Sequence, residues 1–221
     1  MAVEANISLN RIAYNVSHTL GILYDTYLLE KIKMDAIGMR ALLIRRDLER
    51  NNISREFLQS LGCIPLVCAD PKECCELPPE YELLRTDRKV PKPARTKDSG
   101  SFYYVGTVDN RKEFYEIPFE LTAFIDANKY TKHLPHYYYK NDYVYVINPP
   151  SDTFKYINIT SIFADPRQVA DYYQNCQGDC YTDDSPFPLA EDLLPLLTSE
   201  LVRQYSAQRP VEDKETKINN N

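Results

Sequence analysis

The chain has 221 residues and a formal net charge of −6, from 26 basic and 32 acidic side chains. This length can bury a hydrophobic core as one domain without a metal or a disulfide. The negative charge argues against a dedicated nucleic-acid-binding protein, which needs a concentrated positive face. No apolar run approaches the roughly 20 residues that span a bilayer, and the N-terminus lacks the basic and hydrophobic blocks of a secretion signal. We therefore expect a soluble protein that is made in a reducing cytoplasm and contacts no membrane.

Composition and charge distribution favour contact with other protein surfaces. There are 18 tyrosines, no tryptophan and only 6 glycines, and tyrosine is typical both of interfaces and of half-exposed strands. Residues 31–50 contain six basic and three acidic side chains, whereas residues 165–221 contain five basic and eleven acidic ones. Complementary charged regions permit self-association, although solvated charges without a partner give the same pattern.

The first 50 residues predict a hairpin of two helices. Apolar residues recur at helical spacing over 7–30, where Ser8 is the predicted cap, and again over 34–50. The predicted apolar face of the second helix consists of Ile37, Ala41, Ile44 and Leu48, and it is widened by Met39, Leu42 and Leu43.

Arginines occupy the rest of the surface of this second helix, namely Arg40, Arg45, Arg46 and Arg50. A basic helix face is solvated, binds an acidic protein surface or contacts nucleic acid, and the sequence leaves these three interpretations open. Residues 88–100 add a second basic segment, which contains two prolines and predicts an exposed arm. We select the four arginines, with Lys92 and Arg95 of the arm, as candidate subunit-interface residues.

The middle of the chain has strand patterns. Ser54 is predicted to cap a short helix through Leu61, and the extended run 63–68 follows, where Pro65 predicts an edge strand. Further strands are predicted at 81–87, 102–107, 114–117, 136–140, 143–148 and 154–165. Short helices are predicted at 118–127 and after Pro166, and a final amphipathic helix at 189–204.

These elements predict an α+β fold, in which an N-terminal helical hairpin and a C-terminal helix flank a mostly antiparallel, β-rich middle. We expect a helical region at 1–62, a β-rich core at 63–165 with its arm at 88–100, and a helical region at 166–206. The polar residues 207–221 are predicted to form a disordered tail.

Cysteines are the first candidates for chemistry. They are Cys63, Cys68, Cys74, Cys75, Cys176 and Cys180. Structural zinc sites prefer paired CxxC spacings, and none occurs here. In a reducing compartment we expect free thiols or metal ligands rather than disulfides.

Catalytic patterns are absent from the sequence. His133 and His136 are separated by Pro135 and have no HExxH context, and there is no GxSxG, phosphate-binding glycine loop or dinucleotide fingerprint. Asp183 and Asp184 precede Ser-Pro, which is more typical of a helix-capping turn than of a cation site. We predict no catalytic residues, no cofactor and no metal, so the expected protein is not an enzyme.

Several segments carry a resemblance to a known family. They are the helical N-terminus, RALLIRRDLERNNISREFLQSLGCIPLVCADPKECC, KYINITSIFADPRQVADY and CYTDDSPFPLAEDLLPLL. Together, over about residues 8–200, they resemble the ring proteins of crAss-like tailed bacteriophages.

This resemblance implies a virion structural protein of the head-to-tail connector, made in the host bacterial cytoplasm. Such an adaptor forms a ring, expected to be dodecameric, that is stacked below the portal and joins capsid to tail around the DNA channel. Its expected partners are like copies, the portal protein, other connector and tail rings, and DNA that passes without sequence recognition. The resemblance assigns no catalytic residues.

A second hypothesis follows from the cysteines. It is a cytoplasmic zinc-binding regulatory or hydrolytic module, with Cys63, Cys68, either Cys74 or Cys75, and either Cys176 or Cys180 as ligands.

Overall fold

The protein is described by a computed structural model over residues 7–22, 25–50, 54–69, 83–94, 102–127, 129–150, 154–175 and 181–207. Three α-helices are present in these ranges: α1 at Leu9–Thr19, α2 at Thr26–Glu49 and α3 at Leu194–Ala207. They pack together around a shared core that includes Leu9, Ile32 and Leu197, all of which are fully buried.

The predicted first helix over residues 7–30 is divided in the structure, because α1 ends at Thr19 and α2 begins at Thr26. Helix α1 begins after Ser8, whose hydroxyl accepts a hydrogen bond from the backbone N–H of Arg11, and the chain turns at Gly21, which has a φ of 67°. Helix α2 then begins after Asp25, whose carboxylate accepts from the N–H of Leu28. Because glycine adopts the left-handed conformation at little cost, the turn at Gly21 ends the first helix early. The predicted hairpin of the two helices is confirmed.

Helix α2 presents a different face to the core from the predicted one. Ile37 and Ile44 are buried as expected, but Ala41 and Leu48 are only half-buried, whereas Arg40 and Asp47 are buried. The core-facing side is therefore turned toward Arg40. The prediction placed every arginine on the solvent side because arginine is polar. A buried arginine is nevertheless tolerated when its donors bind backbone carbonyls of other segments.

Among the described residues, seven strands form the sheet, in the order β3-β7-β1-β2-β6-β5-β4. Their bounds are Gln59–Cys68 (β1), Leu83–Thr86 (β2), Tyr104–Gly106 (β3), Tyr115–Glu116 (β4), His136–Lys140 (β5), Tyr143–Ile147 (β6) and Tyr156–Ser161 (β7). All neighbouring strands are antiparallel except β4 and β5, which are parallel. With helices at both ends of the chain, this architecture confirms the predicted α+β class.

The sheet closes on itself, because its two outermost strands are joined by a hairpin. A β-bridge links Gly106 to Glu113, and the N–H of Phe114 donates to the carbonyl of Val105 at 2.8 Å. Side chains from one face of β1, β3, β5, β6 and β7 then share one interior, as in a small barrel, and Leu84 of β2 packs against it. This inner core includes Leu61, Ile64, Val105, Phe114, Tyr137, Val144, Val146, Ile157 and Ile159.

Strand β1 is central, so the prediction of an edge strand is wrong. Residues 59–65 pair with β7 and residues 66–68 pair with β2, so Pro65 stands where the pairing changes from one neighbour to the other. A register shift between Leu61 and Ile64 lies just before it, and Cys63 there has a φ of 53°. A proline without an N–H is tolerated at such an irregular position. The predicted helix from Ser54 to Leu61 is also shorter than expected, because only Arg55–Phe57 form a 3₁₀ turn.

The tyrosine-rich hairpin agrees with its prediction. Strands β5 and β6 are joined at Asn141 and Asp142, whose φ angles of 53° and 67° form the tight turn that such hairpins favour. Both faces of β6 are covered, since Val146 lies in the barrel interior and Ile147 lies in an outer core. A 3₁₀ segment, Phe119–Ala127, covers this outer core and replaces the predicted α-helix.

Residues 88–94 of the predicted arm lie against the barrel. Val90 is buried, and its N–H donates to the carbonyl of Asp142 at 2.7 Å. Ala94 donates to the carbonyl of Ile162, so this segment is held by β-type hydrogen bonds. Residues 95–100 lie outside the described residues. In the part of the chain that the structure describes, no helix combines the length and apolar character needed to cross a bilayer.

Candidate subunit interfaces

Arg40 does not lie on the exposed basic face that the sequence predicts, because its relative exposure is 0%. Its Nε donates to the carbonyl of Pro188 at 2.8 Å, and its Nη1 donates to the carbonyl of Phe163 at 2.9 Å. The guanidinium also lies 5.8 Å from the ring centroid of Phe187. Arg40 therefore connects α2 to the end of the barrel and to the segment before α3, and it serves the fold of the single subunit.

The charge of Arg40 is held in a poorly solvated site. Burial lowers the pKa of Arg40 to about 10, an effect opposed by Tyr181 and Asp165. The same burial raises the pKa of Tyr181 to about 12, and the charge of Arg40 partly offsets this. Among the described residues, neither Arg40 Nη2 nor the Tyr181 hydroxyl has a hydrogen-bond partner.

The other candidate cations are exposed where the structure describes them. Arg45, Arg46 and Arg50 lie on the outer side of the C-terminal half of α2, and Arg45 pairs with Glu49 at 3.4 Å. Lys92 is exposed on the segment that lies against the barrel, whereas Arg95 lies outside the described residues. An exposed helical ion pair contributes only ~0.3–0.5 kcal/mol, so Arg45 can exchange Glu49 for another carboxylate at little cost.

Sequence reasoning missed an apolar surface on the solvent side of α2. We call it the α2 stripe and define it as Tyr27, Met34, Gly38 and Leu42. At ~100° per residue, all four lie within about 40° of Gly38 around the helix axis, as does the exposed Lys31 between Tyr27 and Met34. The side chains of Tyr27, Met34 and Leu42 are 81%, 55% and 63% exposed. The sequence pattern assigned Leu42 to the predicted apolar face of this helix and did not reveal that Leu42 faces solvent.

A second exposed apolar surface lies on the 3₁₀ segment beside β5. We call it the 3₁₀ ridge and define it as Pro118, Leu121, Phe124 and Ala127, all of which are exposed. A 3₁₀ helix has three residues per turn, so these positions line up along one side. Thr122 and Ile125 line up on the other side and are buried. An α-helical periodicity, which the sequence suggested, does not place these four residues in one row.

The two surfaces differ in the charged side chains around them. The α2 stripe continues into Arg45 and Arg46, whereas Glu120 lies within the 3₁₀ segment that forms the ridge, and all three side chains are exposed. Lys140 Nζ also lies beside this segment, 3.4 Å from the ring centroid of Phe119. The stripe belongs to the helical part and the ridge to the outer face of the sheet. The subunit therefore offers two different surfaces with exposed apolar side chains.

Asp183 and Asp184 hold the chain to the helical hairpin. Lys33 Nζ donates to a carboxylate oxygen of Asp183 at 2.9 Å, and Asn10 Nδ2 donates to Asp184 at 2.6 Å. These contacts give the two carboxylates a structural role in the subunit. The described residues include no group of three or more histidine, cysteine or carboxylate side chains that could hold a metal.

Cysteines occupy different situations in the structure. Cys63 is disulfide-bonded, contrary to the expectation of a free thiol or metal ligand, whereas Cys68 is free and exposed. Cys74, Cys75, Cys176 and Cys180 lie outside the described residues.

Comparison with known proteins identifies the family. The model of the family described as phage tail ring protein 2 (CrAss_Ring_2) matches residues 11–221. A comparison with curated proteins gave no match. The family match spans nearly the whole chain, including most of α1, all of α2 and α3, and the seven strands of the described residues. The chain therefore belongs to the phage tail ring protein 2 family of crAss-like phages and is a structural protein of the phage tail.

Proposed function

We propose that twelve copies of this protein form a closed ring in the head-to-tail connector, below the portal, where the ring joins the capsid to the tail around the DNA channel. The family assignment supports a ring in the phage tail. The copy number, the portal junction and the channel are proposals that rest on the resemblance and on the surface of the subunit.

The observation that carries this proposal is the pair of exposed apolar surfaces on one subunit. A closed ring needs a heterologous interface, in which one surface of each subunit contacts a different surface of the next. The α2 stripe and the 3₁₀ ridge are two such surfaces, and they are bordered by Arg46 and Glu120 respectively. Exposed Arg45, Arg50 and Lys92, together with Arg95, are proposed to add charged contacts between subunits or between stacked rings.

The charge of the chain suits a channel through which DNA slides. A strongly basic lumen retains DNA because each phosphate contact releases counterions and strengthens binding. With a net charge of −6 per chain, a ring of like copies has no excess of cations to retain DNA. We therefore propose that DNA passes the ring without sequence recognition, and that the protein acts as a structural part rather than as an enzyme.

Purified full-length protein tests this proposal when it is mixed with the portal protein. Mass photometry gives the copy number, and class averages from electron microscopy show the symmetry and the position of the ring. We expect twelve-fold rings attached to one end of the portal. A protein that stays monomeric with the portal, or a ring with another symmetry, contradicts the proposal.

A further inference from the structure

We propose that the guanidinium of Arg40 and the hydroxyl of Tyr181 bind one small monovalent anion, such as chloride, inside the subunit. Arg40 has a relative exposure of 0%. Its Nε and Nη1 donate to the backbone carbonyls of Pro188 and Phe163, at the segment before α3 and at the end of the barrel. Two of the three guanidinium nitrogens are thereby engaged, and Nη2 remains to bind a further acceptor. This inference does not depend on the proposed ring.

Two buried hydrogen-bond donors meet at this junction without an acceptor from the protein. In the part of the chain that the structure describes, Arg40 Nη2 and the Tyr181 hydroxyl are buried and have no hydrogen-bond partner. The two groups are neighbours, because each is the charged group that acts most strongly on the other. A buried donor without an acceptor is destabilising, and more so when it is charged. One acceptor between the two groups satisfies both.

The positive charge of Arg40 also has no full negative partner. Among the ion pairs that the described residues form within 4.0 Å, none includes Arg40. Asp165 lies 3.3 Å from Arg167 Nη2, and Asp183 lies 2.9 Å from Lys33 Nζ, so these carboxylates are paired with other cations. A buried cation is costly unless an opposite charge compensates it. An anion supplies that charge, whereas a water molecule supplies only an acceptor.

The surroundings of Arg40 favour a small anion with a single charge. The guanidinium is fully buried and lies 5.8 Å from the ring centroid of Phe187, which is itself buried. The Born cost of removing an ion from water rises with the square of its charge, so a dianion needs many more donors than this site offers. The N–H groups of Nη2 and one phenolic O–H are a donor set suited to a halide.

Urea unfolding of the full chain in the presence of chloride tests this site. Sodium chloride replaces sodium gluconate at constant ionic strength and neutral pH, so that general screening by salt stays fixed. Tyr181→Phe removes one proposed donor and keeps the aromatic ring. Tyr205→Phe is the matched control, because its hydroxyl donates to Asp35 and belongs to another part of the subunit.

Chloride is expected to stabilise the unmodified chain and Tyr205→Phe, because a ligand that binds only the folded state raises the urea midpoint. The apparent affinity for chloride should fall at least about tenfold in Tyr181→Phe, since a hydrogen bond to a charged group is lost. Without chloride, Tyr181→Phe should unfold at a higher urea concentration than the unmodified chain. This difference should shrink as chloride is added.

Crystals grown with bromide locate the anion by its anomalous scattering. We expect a peak within hydrogen-bond distance of both Arg40 Nη2 and the Tyr181 hydroxyl. Three results overturn the proposal: a urea midpoint that does not respond to chloride, an equal response of Tyr181→Phe and Tyr205→Phe, or a water molecule without an anomalous peak between the two groups.

Discussion

Arg40 Nε donates a hydrogen bond to the carbonyl oxygen of Pro188 across 148 residues of sequence, at 2.8 Å. Its Nη1 reaches the carbonyl of Phe163, which lies 123 residues away. The two carbonyls belong to the segment before α3 and to the end of the barrel. One fully buried cation therefore joins the helical part of the subunit to its sheet.

Replacement of Arg40 by methionine is expected to destabilise the subunit. Methionine keeps an unbranched apolar stem but leaves the carbonyls of Pro188 and Phe163 without donors. A buried carbonyl that loses its partner costs about 1–3 kcal/mol, so the free energy of unfolding should fall by about 2–4 kcal/mol. Urea unfolding followed by circular dichroism measures this change. Arg45→Met is the control, because that side chain is exposed and its replacement should stay within ~0.5 kcal/mol. Equal stability of the two variants would contradict a structural role for Arg40.

Tyr181→Phe is expected to stabilise the subunit, in contrast to Arg40→Met. The buried hydroxyl of Tyr181 has no hydrogen-bond partner among the described residues, so its removal relieves an uncompensated loss of solvation. We expect the free energy of unfolding to rise by about 1 kcal/mol.

Tyr205→Phe is the matched comparison for Tyr181→Phe. The hydroxyl of Tyr205 donates to Asp35 at 2.7 Å, so its loss should lower the free energy of unfolding by about 1 kcal/mol. Urea unfolding of both variants in the same buffer measures the change in the free energy of unfolding for each. A loss of stability in Tyr181→Phe would show that this hydroxyl is satisfied in solution.

The burial of Arg40 could not be predicted from the sequence, for a physical reason. Arginine is rarely buried unless its donors are satisfied. Here the satisfying atoms are backbone carbonyls of Phe163 and Pro188, which carry no signal in the sequence and are distant along the chain. The exposed stripe on the opposite side of α2 was missed for the same reason, since a buried arginine and an exposed leucine reverse the usual pattern.

Local features were predicted better than long-range ones. The hairpin of β5 and β6 follows from Asn141 and Asp142 between two alternating runs, which is a short-range turn signal. The place of β1 in the sheet depends instead on partners in β2 and β7. Pro65 could not reveal that it stands at the change of partner. The two candidate interfaces were also hard to predict, because the residues that share one face depend on whether the segment is an α-helix or a 3₁₀ helix. The sequence did not reveal this segment type for residues 119–127.

Replacement of Gly106 or Gly38 by alanine is expected to change the free energy of unfolding in opposite directions. A Cβ at Gly106 would overlap the carbonyl oxygen of Lys112 and the ring of Tyr104, at the hairpin that closes the barrel. Gly106→Ala should therefore lower the free energy of unfolding by about 1–3 kcal/mol.

Gly38→Ala is the counterpart, because open space surrounds a Cβ at that position. It should raise the free energy of unfolding by about 0.5–1 kcal/mol through its helix propensity. Differential scanning calorimetry of both variants compares them under one condition. If Gly106→Ala is as stable as the unmodified chain, the close approach of Lys112 does not hold in solution.

Buried tyrosines determine how the subunit responds to alkaline pH. Burial raises the pKa of Tyr172 from its ordinary 10.0 to about 12, an effect partly offset by Arg88, and burial likewise raises the pKa of Tyr181 to about 12. The pKa of Tyr205 is also raised, first by burial and then by its hydrogen bond to Asp35. In each case the folded state prefers the protonated phenol more strongly than the unfolded state does.

Stability should consequently fall as the pH rises above 10. A group whose pKa is raised on folding contributes its full stabilisation below the unfolded value, here 10.0, and that stabilisation is lost as the pH approaches the folded value of about 12. Urea unfolding at a series of pH values, with tyrosinate absorbance recorded in parallel, measures the decline and the ionisation together. The Tyr172→Phe and Tyr181→Phe double variant removes two of the titrating groups and should lose less stability between pH 10 and 12 than the unmodified chain. An identical decline in both proteins would mean that these two phenols titrate in the folded state as they do in the unfolded one.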